Sequence, residues 1–437
     1  MKKAAEPKSS PVIGHPHHSV RRQVIVSLLV AFFLLGATVL IILYGKGFRF
    51  SDQQGNIKLS KTGILSVNST PKDAAVYIND HMTTTATNNS SVNLAPGRYH
   101  IKITKEGYSD WLKDFDIKTE QVSYAEATLF PQAPSLQSIS TFGIQSTMID
   151  PTGTKLAFNL ASGSAKKNGI YVYDMTSRNF PILAGQSNTT QIVDDSVDKF
   201  SGAKLAWSPD GKQIVASISA EGSLPTYYLL NATQLNPTPQ DITAVYSNTI
   251  DLWKQQRNDK KTAQLKSLPK PVQKFAKQNW NILSWSPDDN EILYQASQSA
   301  QTPVFRNPRL IGDNNLYEQR HIEDGGIYVY NIKEDFNTRL VEKEEKVCTL
   351  YDPTCNCDEF AKCPIPYTWM PDSNHLLYVH DKTIYLIEDD GSNKTTIYAG
   401  PFVDHYVFPW PDGSKVVILT NFNNSTVPPT LYSISLK

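Results

Sequence analysis

The chain carries one short pattern of apolar and polar positions five times. Its clearest copy is residues 203–218, where an apolar stretch ends at Trp207 and is followed by Ser-Pro-Asp-Gly and then by alternating apolar and polar residues. Proline fixes φ, aspartate bonds nearby backbone and glycine takes a positive φ, so Pro209-Asp210-Gly211 predicts a tight turn. The flanking period of two predicts a strand on each side. The other copies have turn prolines at Pro151, Pro287, Pro371 and Pro411.

Further strand-like stretches follow several copies of this pattern. They read Gly-Ile-Tyr-Val-Tyr or a close variant, at residues 169–174, 326–331, 383–387 and 430–434. Four strands per repeat predict the blades of a β-propeller. Five blades are marked directly, and the uneven spacing of the turns leads us to expect six to eight after closure. Residues 132–142 are expected to supply a strand that closes the ring with the C-terminal blade.

The recurring Trp-Ser-Pro-Asp-Gly motif resembles the WD-like propeller repeats of the Tol-system periplasmic protein and of the propeller domains attached to prolyl-peptidase enzymes. The resemblance runs from residue 142 to the end of the printed sequence. It implies that the aspartate of each motif caps a turn and is not catalytic. We therefore assign residues 132–437 to a propeller.

Residues 62–131 alternate apolar and polar positions over six or seven short stretches, separated by turn residues such as Asn79-Asp80 and Pro96-Gly97. This pattern predicts a small β-sandwich. The stretches 67–80, 94–101, 105–111 and 129–131 resemble the PEGA domain, with the naming tetrapeptide altered to Pro71-Lys72-Asp73-Ala74. The resemblance implies a non-catalytic binding module of the cell surface or periplasm, with surface polymers or S-layer proteins as ligands.

The N-terminal part of the sequence predicts a membrane anchor. Residues 1–23 are a polar, disordered tail, and residues 24–44 contain no charge. At about 1.5 Å per residue, this uncharged run spans a bilayer core as a single-pass transmembrane helix. A cleaved signal peptide is the alternative, although its apolar region is shorter and precedes a small-residue cleavage site. Arg21-Arg22 place the N-terminus in the cytoplasm and the later domains outside, extracellular or periplasmic. Residues 45–61 are expected to be a linker.

Composition narrows the class of protein. A chain of 437 residues needs two or more domains. It has 42 Lys plus Arg against 42 Asp plus Glu, so no overall charge draws it to nucleic acid. Abundant Tyr and Phe with dense Gly and Pro favour an all-β fold.

Two sets of residues are candidates for binding. Tyr108 and Trp111 could stack on a sugar ring, although such aromatics more often fix a hairpin end to a sandwich core. A helical insert near residues 250–278 holds eight basic residues and one acidic residue between positions 254 and 277. It is either a platform for an anionic polymer such as a teichoic acid or, as charge runs usually are, a solvated helix packed on the propeller. Its binding candidates are Lys254, Arg257, Lys260 and Lys261.

All four cysteines lie within the loop 348–363. Outside the membrane, disulfides are the default, and Cys355 and Cys357 are too close to bridge each other comfortably. The open pairings are Cys348–Cys355 with Cys357–Cys363, or Cys348–Cys357 with Cys355–Cys363. Zinc binding is a weaker alternative, because the spacing lacks paired C-x2-C knuckles, and free thiols are another.

No catalytic, cofactor or metal motif is present in the sequence. The combination resembles PEGA-containing proteins of small-genome bacteria. We expect a non-catalytic envelope protein, anchored in the cell membrane, that recognises an envelope protein or surface polysaccharide through both domains. The alternative is an envelope enzyme that acts on glycans with carboxylates in the propeller mouth. A carboxyl pair about 5–9.5 Å apart in the central channel would favour that alternative.

Overall fold

The computed structural model describes residues 20–45, 48–53, 56–83, 86–88, 90–140, 143–161, 163–176, 188–219, 222–310, 314–341, 367–403 and 406–437. These residues belong to two compact units. Unit 1 takes Met1–Leu65, Val92–Gly97 and Ile117–Val122, and unit 2 takes Ser66–Ser91, Arg98–Asp116 and Ser123–Lys437.

Unit 1 begins with one long apolar helix. Helix α1 spans Val20–Gly45, so it starts four residues before the uncharged run. Its stretch Val24–Gly45 is long and apolar enough to cross a membrane and is not buried against other parts of the protein. The Thr38 hydroxyl donates to the carbonyl of Leu34 at 2.8 Å, which satisfies this polar group within the helix. Length and composition fit an anchor and a signal sequence alike.

A β-hairpin follows α1 in the segment that was expected to be a linker. Strand β1, Phe48–Gln53, pairs antiparallel with β2, Asn56–Lys61, and Phe50 lies opposite Leu59. Apolar residues recur at every second position in both strands, which is the period of a β-strand. The assignment of residues 45–61 as a linker stays a prediction, and most of this stretch forms the hairpin.

Seven short strands form the expected small β-sandwich. One sheet has the order β6-β3-β9 and the other the order β5-β4-β7-β8. In the part of the sandwich that belongs to unit 2, buried and more exposed side chains alternate along the strands, and the core includes Val67, Ile101 and Phe115. The strands are β3 Gly63–Thr70, β4 Ala75–Ile78, β5 His81–Met82, β6 Ser90–Leu94, β7 Gly97–Thr104, β8 Trp111–Ile117 and β9 Val122–Thr128.

The rest of unit 2 is the propeller, built from four-stranded antiparallel sheets. The first three sheets are formed mainly by consecutive strands. The strands before and in these sheets are β10 Leu136–Ser138, β11 Ile144–Ile149, β12 Lys155–Leu160, β13 Gly169–Asp174, β14 Thr189–Asp194, β15 Lys204–Trp207, β16 Gln213–Ile218, β17 Thr226–Asn231, β18 Gln240–Asp241, β19 Trp280–Trp285, β20 Glu291–Ala296, β21 Ala300–Gln301, β22 His321–Ile322, β23 Ile327–Asn331 and β24 Phe336–Val341.

The third sheet has the order β19-β20-β23-β24, because β21 and β22 pair only with each other in a loop insertion. The fourth sheet is β25 to β28, and the last has the order β10-β31-β30-β29. The remaining strands are β25 Thr368–Trp369, β26 His375–His380, β27 Thr383–Glu388, β28 Thr395–Ala399, β29 Val407–Pro409, β30 Lys415–Thr420 and β31 Thr430–Ser435.

The ring closes as predicted, by pairing the start of the propeller with its end. β10 pairs antiparallel with β31, with Leu136 opposite Ile434 and Ser138 opposite Tyr432. Within the described part of residues 132–437, five four-stranded sheets are present, the same five that the repeated turn marks. This described part contains no sixth four-stranded sheet, whereas six to eight blades were expected.

The repeated turns have the conformation that their residues predict. Gly211 has φ +66°, and the Asp210 carboxylate accepts a hydrogen bond from the Lys212 backbone amide at 3.1 Å. The third and fourth copies place Asp289 and Ser373 at the same point, with φ +58° and +61°. These two residues accept the left-handed conformation that glycine adopts more readily.

A helical hairpin is inserted between β18 and β19. Helix α2 spans Tyr246–Ser267 and α3 spans Lys270–Asn279, close to the expected insert. Trp253 is buried in one cluster with Val215 and Ile242, and the apolar side of α3 is buried in another cluster with Trp280. The apolar faces of both helices therefore fix the insert to the propeller.

Candidate functional site

Unit 2 contains a polar cavity of about 450 Å³. Its walls come from β3, β8 and β9 and from the loops at the ends of strands in the third and fourth propeller sheets. About half of the lining residues are acidic or amide, and Trp111, Phe115, Tyr124 and Phe336 contribute four aromatic side chains. The lining includes Asn68, Trp111, Lys113, Phe115, Tyr124, Glu126, Glu291, Asn314, Asn331, Glu334, His375, Glu388, Asp389 and Asp390.

Lys113 is a half-buried cation in the wall of this cavity. On β8, residues at every second position share a face, so Lys113 lies on the same side as the buried Trp111 and Phe115. Its Nζ lies 2.9 Å from Glu388 Oε2 and 2.5 Å from Asp390 Oδ2. Burial by itself would lower the pKa of Lys113, but the two carboxylates outweigh it and raise the pKa above its ordinary value.

Glu388 is held by further donors around the ion pair. The indole Nε1 of Trp111 donates to Glu388 Oε1, and Asn393 Nδ2 donates to the same oxygen at 3.1 Å. The Ser392 hydroxyl donates to Oε2 at 3.0 Å. The Leu112 backbone amide donates to Asn393 Oδ1 at 2.8 Å. This network fixes β8 against the loop that follows β27.

A second pair of buried carboxyls lies in the same cavity. Glu291 begins β20 and is 4 % exposed, and Asp389 follows β27. Burial raises the pKa of Glu291 well above its usual range, and the carboxylate of Asp389, within hydrogen-bonding reach, adds to the rise. Burial also raises the pKa of Asp389. Two carboxyls this close share a proton near neutral pH, as like charges do in a buried site.

One buried acceptor in the cavity has no described donor. Asn331 Nδ2 donates to Glu291 Oε1 at 2.8 Å, and the proton shared with Asp389 gives this carboxyl a second hydrogen bond. Asn314 Nδ2 donates to the carbonyl of Asp114 at 2.7 Å, which leaves Asn314 Oδ1 buried without a described partner. Buried acceptors without donors are uncommon and call for a specific reason.

His375 closes one side of the cavity. Its Nδ1 lies 2.8 Å from Asp372 Oδ2, and its ring makes an edge-to-face contact with Phe130 at 5.4 Å between centroids. Burial by itself lowers the pKa of His375, but the hydrogen bond and charge of Asp372 outweigh it and raise the pKa. The His375 ring is therefore held by its hydrogen bond to Asp372, a turn aspartate of the fourth repeat.

The structure separates the two aromatic candidates. Trp111 is 2 % exposed and its indole N–H is bonded to Glu388, so neither ring face is open for a sugar to stack on. Tyr108 is half-buried, forms an isolated bridge with Pro131 and does not line the cavity. Their role as a binding pair stays a prediction, and the buried Trp111 favours a structural role.

The basic candidates lie on the helical hairpin, outside the cavity. Lys254, Lys260 and Lys261 are exposed on α2, whereas Arg257 is half-buried and has a partner. Lys254 pairs loosely with Asp251, with 3.5 Å between Nζ and Oδ1. The insert is therefore packed on the propeller by its apolar side and exposes its basic side chains, and binding of an anionic polymer there stays a prediction.

The four cysteines, Cys348, Cys355, Cys357 and Cys363, lie outside the described residues, so both disulfide pairings stay predictions. Sequence reasoning also missed every charged residue of the cavity. A signal was present, because Lys113 is the charged residue on the face of β8 that carries Trp111, Phe115 and Ile117. The acidic run 388–390 also stands at the end of a strand rich in apolar residues.

A family model matches one part of the chain, and solved structures match it over longer stretches. No curated protein matches it. One solved structure, a protein described as TolB from Agrobacterium tumefaciens, is 17% identical, with 66% of this chain and 77% of that chain covered and a TM-score of 0.21. Another, TolB from Acinetobacter baumannii, is 14% identical, with 77% and 59% covered and a TM-score of 0.22. These TM-scores are too low to carry an argument. Residues 62–132, the stretch that contains the seven-stranded sandwich, match the family model of the PEGA domain.

Proposed function

We propose that this chain is a non-catalytic envelope protein, anchored in the cell membrane by α1, that binds an anionic surface polymer through its helical hairpin. In this arrangement residues 1–23 lie in the cytoplasm, residues 24–44 span the membrane, and the PEGA domain and the propeller at 132–437 lie outside. An envelope protein that presents a similar anionic surface is a partner of the same kind.

One observation carries the proposal: the hairpin is fixed by its apolar side and presents its basic side to solvent. Trp253 and Leu268 are buried against the propeller, which orients the two helices. The exposed cations are Lys254, Lys260, Lys261, Lys266, Lys270, Lys274 and Lys277. A fixed array of cations attracts a polyanion more strongly than a mobile tail does, because less conformational freedom is lost on binding.

Cosedimentation of the full chain in detergent micelles with poly(glycerol phosphate) tests this proposal. We expect saturable binding that weakens steeply as salt rises, because Lys–phosphate attraction is screened. Changing Lys254, Lys260 and Lys261 together to Gln is expected to weaken binding at least tenfold. The matched control changes the exposed Lys166, Lys199 and Lys204 to Gln and keeps the same net charge as the first variant. Equal binding by the two variants would contradict the proposal.

The glycan-active alternative rests on the buried carboxyls of the cavity. Glu291 and Asp389 are within hydrogen-bonding reach, whereas glycosidases hold their two carboxyls about 5–9.5 Å apart. This separation leaves no room between them for a sugar carbon or a water, so this pair does not favour the enzyme. Release of reducing sugar from envelope glycans by the wild-type chain, abolished by Glu291→Gln, would support the alternative.

A further inference from the structure

Helix α3 of the hairpin carries cations but no acidic residue. From position 260 to position 287 the sequence holds six lysines and neither Asp nor Glu. Among the described residues, three exposed lysines of α3 form no ion pair, and they are Lys270, Lys274 and Lys277. On α2, by contrast, Lys254 pairs with Asp251 and a second acid, Asp259, follows within the helix. The positive charge of α3 is therefore not offset within its own helix.

Lys270, Lys274 and Lys277 form a single line along the helix, which we call the α3 stripe. A helix turns by about 100° per residue, so these positions lie within about 60° of one another around the axis. Val272 and Ala276, each 1 % exposed, lie on the opposite side and pack against the third propeller sheet. At about 1.5 Å per residue, the stripe places its cations about 6 and 4.5 Å apart along the axis. It is therefore a short row of exposed cations with a fixed orientation.

The spacing of this row matches a linear polyanion with one charge for each helical turn. In a poly(glycerol phosphate) chain, three carbons and two oxygens separate successive phosphorus atoms, a span of about one helical turn or slightly more. Each phosphate can then meet a lysine of its own, which is the arrangement that attracts the chain most strongly. A glycan with one carboxylate for every two sugar rings spaces its charges much more widely. Charge spacing therefore favours a phosphodiester polymer over such a glycan.

We propose that the α3 stripe is the line along which the polymer binds, and that the polymer is a linear phosphodiester with successive phosphates on Lys270, Lys274 and Lys277. The ammonium group of lysine is a compact point charge with three donors, so it binds a tetrahedral phosphate without a planar partner. The lysines of α2 add attraction at longer range. This inference rests on the proposed function, in which the hairpin binds an anionic polymer, and it names the polymer class and the residues that contact it.

Titration of glycerol phosphate oligomers into the full chain in micelles tests the length of the stripe. Oligomers of one to six units are compared at one salt concentration by calorimetry. We expect the affinity to rise at least fivefold with each unit up to three units and less than twofold with each further unit, because three phosphates fill the stripe. An affinity that rises equally up to six units would overturn the inference. Binding of hyaluronate, a glycan with one carboxylate per two rings, as tightly as poly(glycerol phosphate) would also overturn it.

Two triple variants with the same loss of charge then locate the site. The first combines Lys270→Gln, Lys274→Gln and Lys277→Gln, and the second is the α2 variant of the cosedimentation test. We expect the α3 variant to weaken binding of the three-unit oligomer at least 100-fold and the α2 variant about tenfold. The slope of log affinity against log salt should fall by about 2 in the α3 variant, at about 0.7 for each lost phosphate contact, and by less than 1 in the α2 variant.

The outcomes separate this inference from the proposed function. Equal losses of affinity in the two triple variants would overturn the assignment to α3 and leave polymer binding by the hairpin standing. No saturable binding of poly(glycerol phosphate) by the wild-type chain would contradict the proposed function and this inference together. All substituted lysines are exposed, so both variants are expected to keep the wild-type melting temperature within about 2 °C.

Discussion

Replacing Lys113 by Met removes the ion pairs that join β8 to Glu388 and Asp390. Lys113 is 17 % exposed, and Glu388 and Asp390 are 8 % and 11 % exposed. At 2.9 and 2.5 Å, each pair has a gross attraction of about 6 kcal/mol at an effective dielectric constant of about 20. Most of that attraction offsets desolvation, so the net cost of removing the cation is about 3–5 kcal/mol, the usual cost of breaking a buried pair.

Hydrogen exchange of the β8 backbone amides measures this loss of stability at β8 itself. A local measurement suits a chain with several domains. A loss of about 3 kcal/mol or more predicts exchange at least 100-fold faster in β8 of Lys113→Met. The control is Lys102→Met on β7, whose pair with Asp110 at 2.8 Å is well exposed to solvent. Exposed pairs contribute little, so this variant should match wild type. Exchange in Lys113→Met within threefold of wild type would refute the reasoning.

Three further changes test other parts of the structure. The raised pKa of Glu291 means that the folded state binds more protons than the unfolded state above about pH 4.3, so stability falls as pH rises. Glu291→Gln should flatten the slope of unfolding free energy between pH 5 and 8, and an unchanged slope would show that this carboxyl does not titrate as described. Trp253→Ala should lower the free energy of opening of α2, measured by hydrogen exchange, by about 3–5 kcal/mol, because the Trp253 side chain is buried. A loss below about 1 kcal/mol would show that Trp253 does not hold the hairpin on the propeller. Gly211→Ala should lower the melting temperature more than Gly153→Ala does. Both glycines have a positive φ, but a Cβ at Gly211 would lie 2.7 Å from the Asp150 carboxylate, whereas a Cβ at Gly153 would meet no atom within 4 Å. Equal shifts in melting temperature would contradict this reasoning.

The fold followed from local signals in the sequence. Pro209-Asp210-Gly211 specifies its turn through the chemistry of three adjacent residues, and its repetition marks the blades. The closing strand β10 was predictable because an open propeller leaves an unpaired edge on β31. The hairpin β1–β2 was missed since its alternation is short and follows a long apolar run.

The cavity could not be predicted, because its parts come from distant positions. Lys113 and Glu388 are 275 residues apart, and nothing local in either stretch specifies the other. Trp111 illustrates the same limit, because the sequence around an aromatic residue at a hairpin end is the same whether its side chain faces solvent or a neighbouring loop. Glu291 interacts with Asp389 in the loop after β27, which does not adjoin it in sequence.

Photo-crosslinking in intact bacteria tests the central claim most directly. A benzoyl-phenylalanine at Lys260, on the exposed side of α2, is compared with the same residue at the exposed Lys204. The account predicts that the full-length chain crosslinks at position 260 to an extracytoplasmic anionic polymer or to an envelope protein, and that position 204 gives far less product. Crosslinks at position 260 to cytoplasmic components, or equal products at both positions, would contradict it.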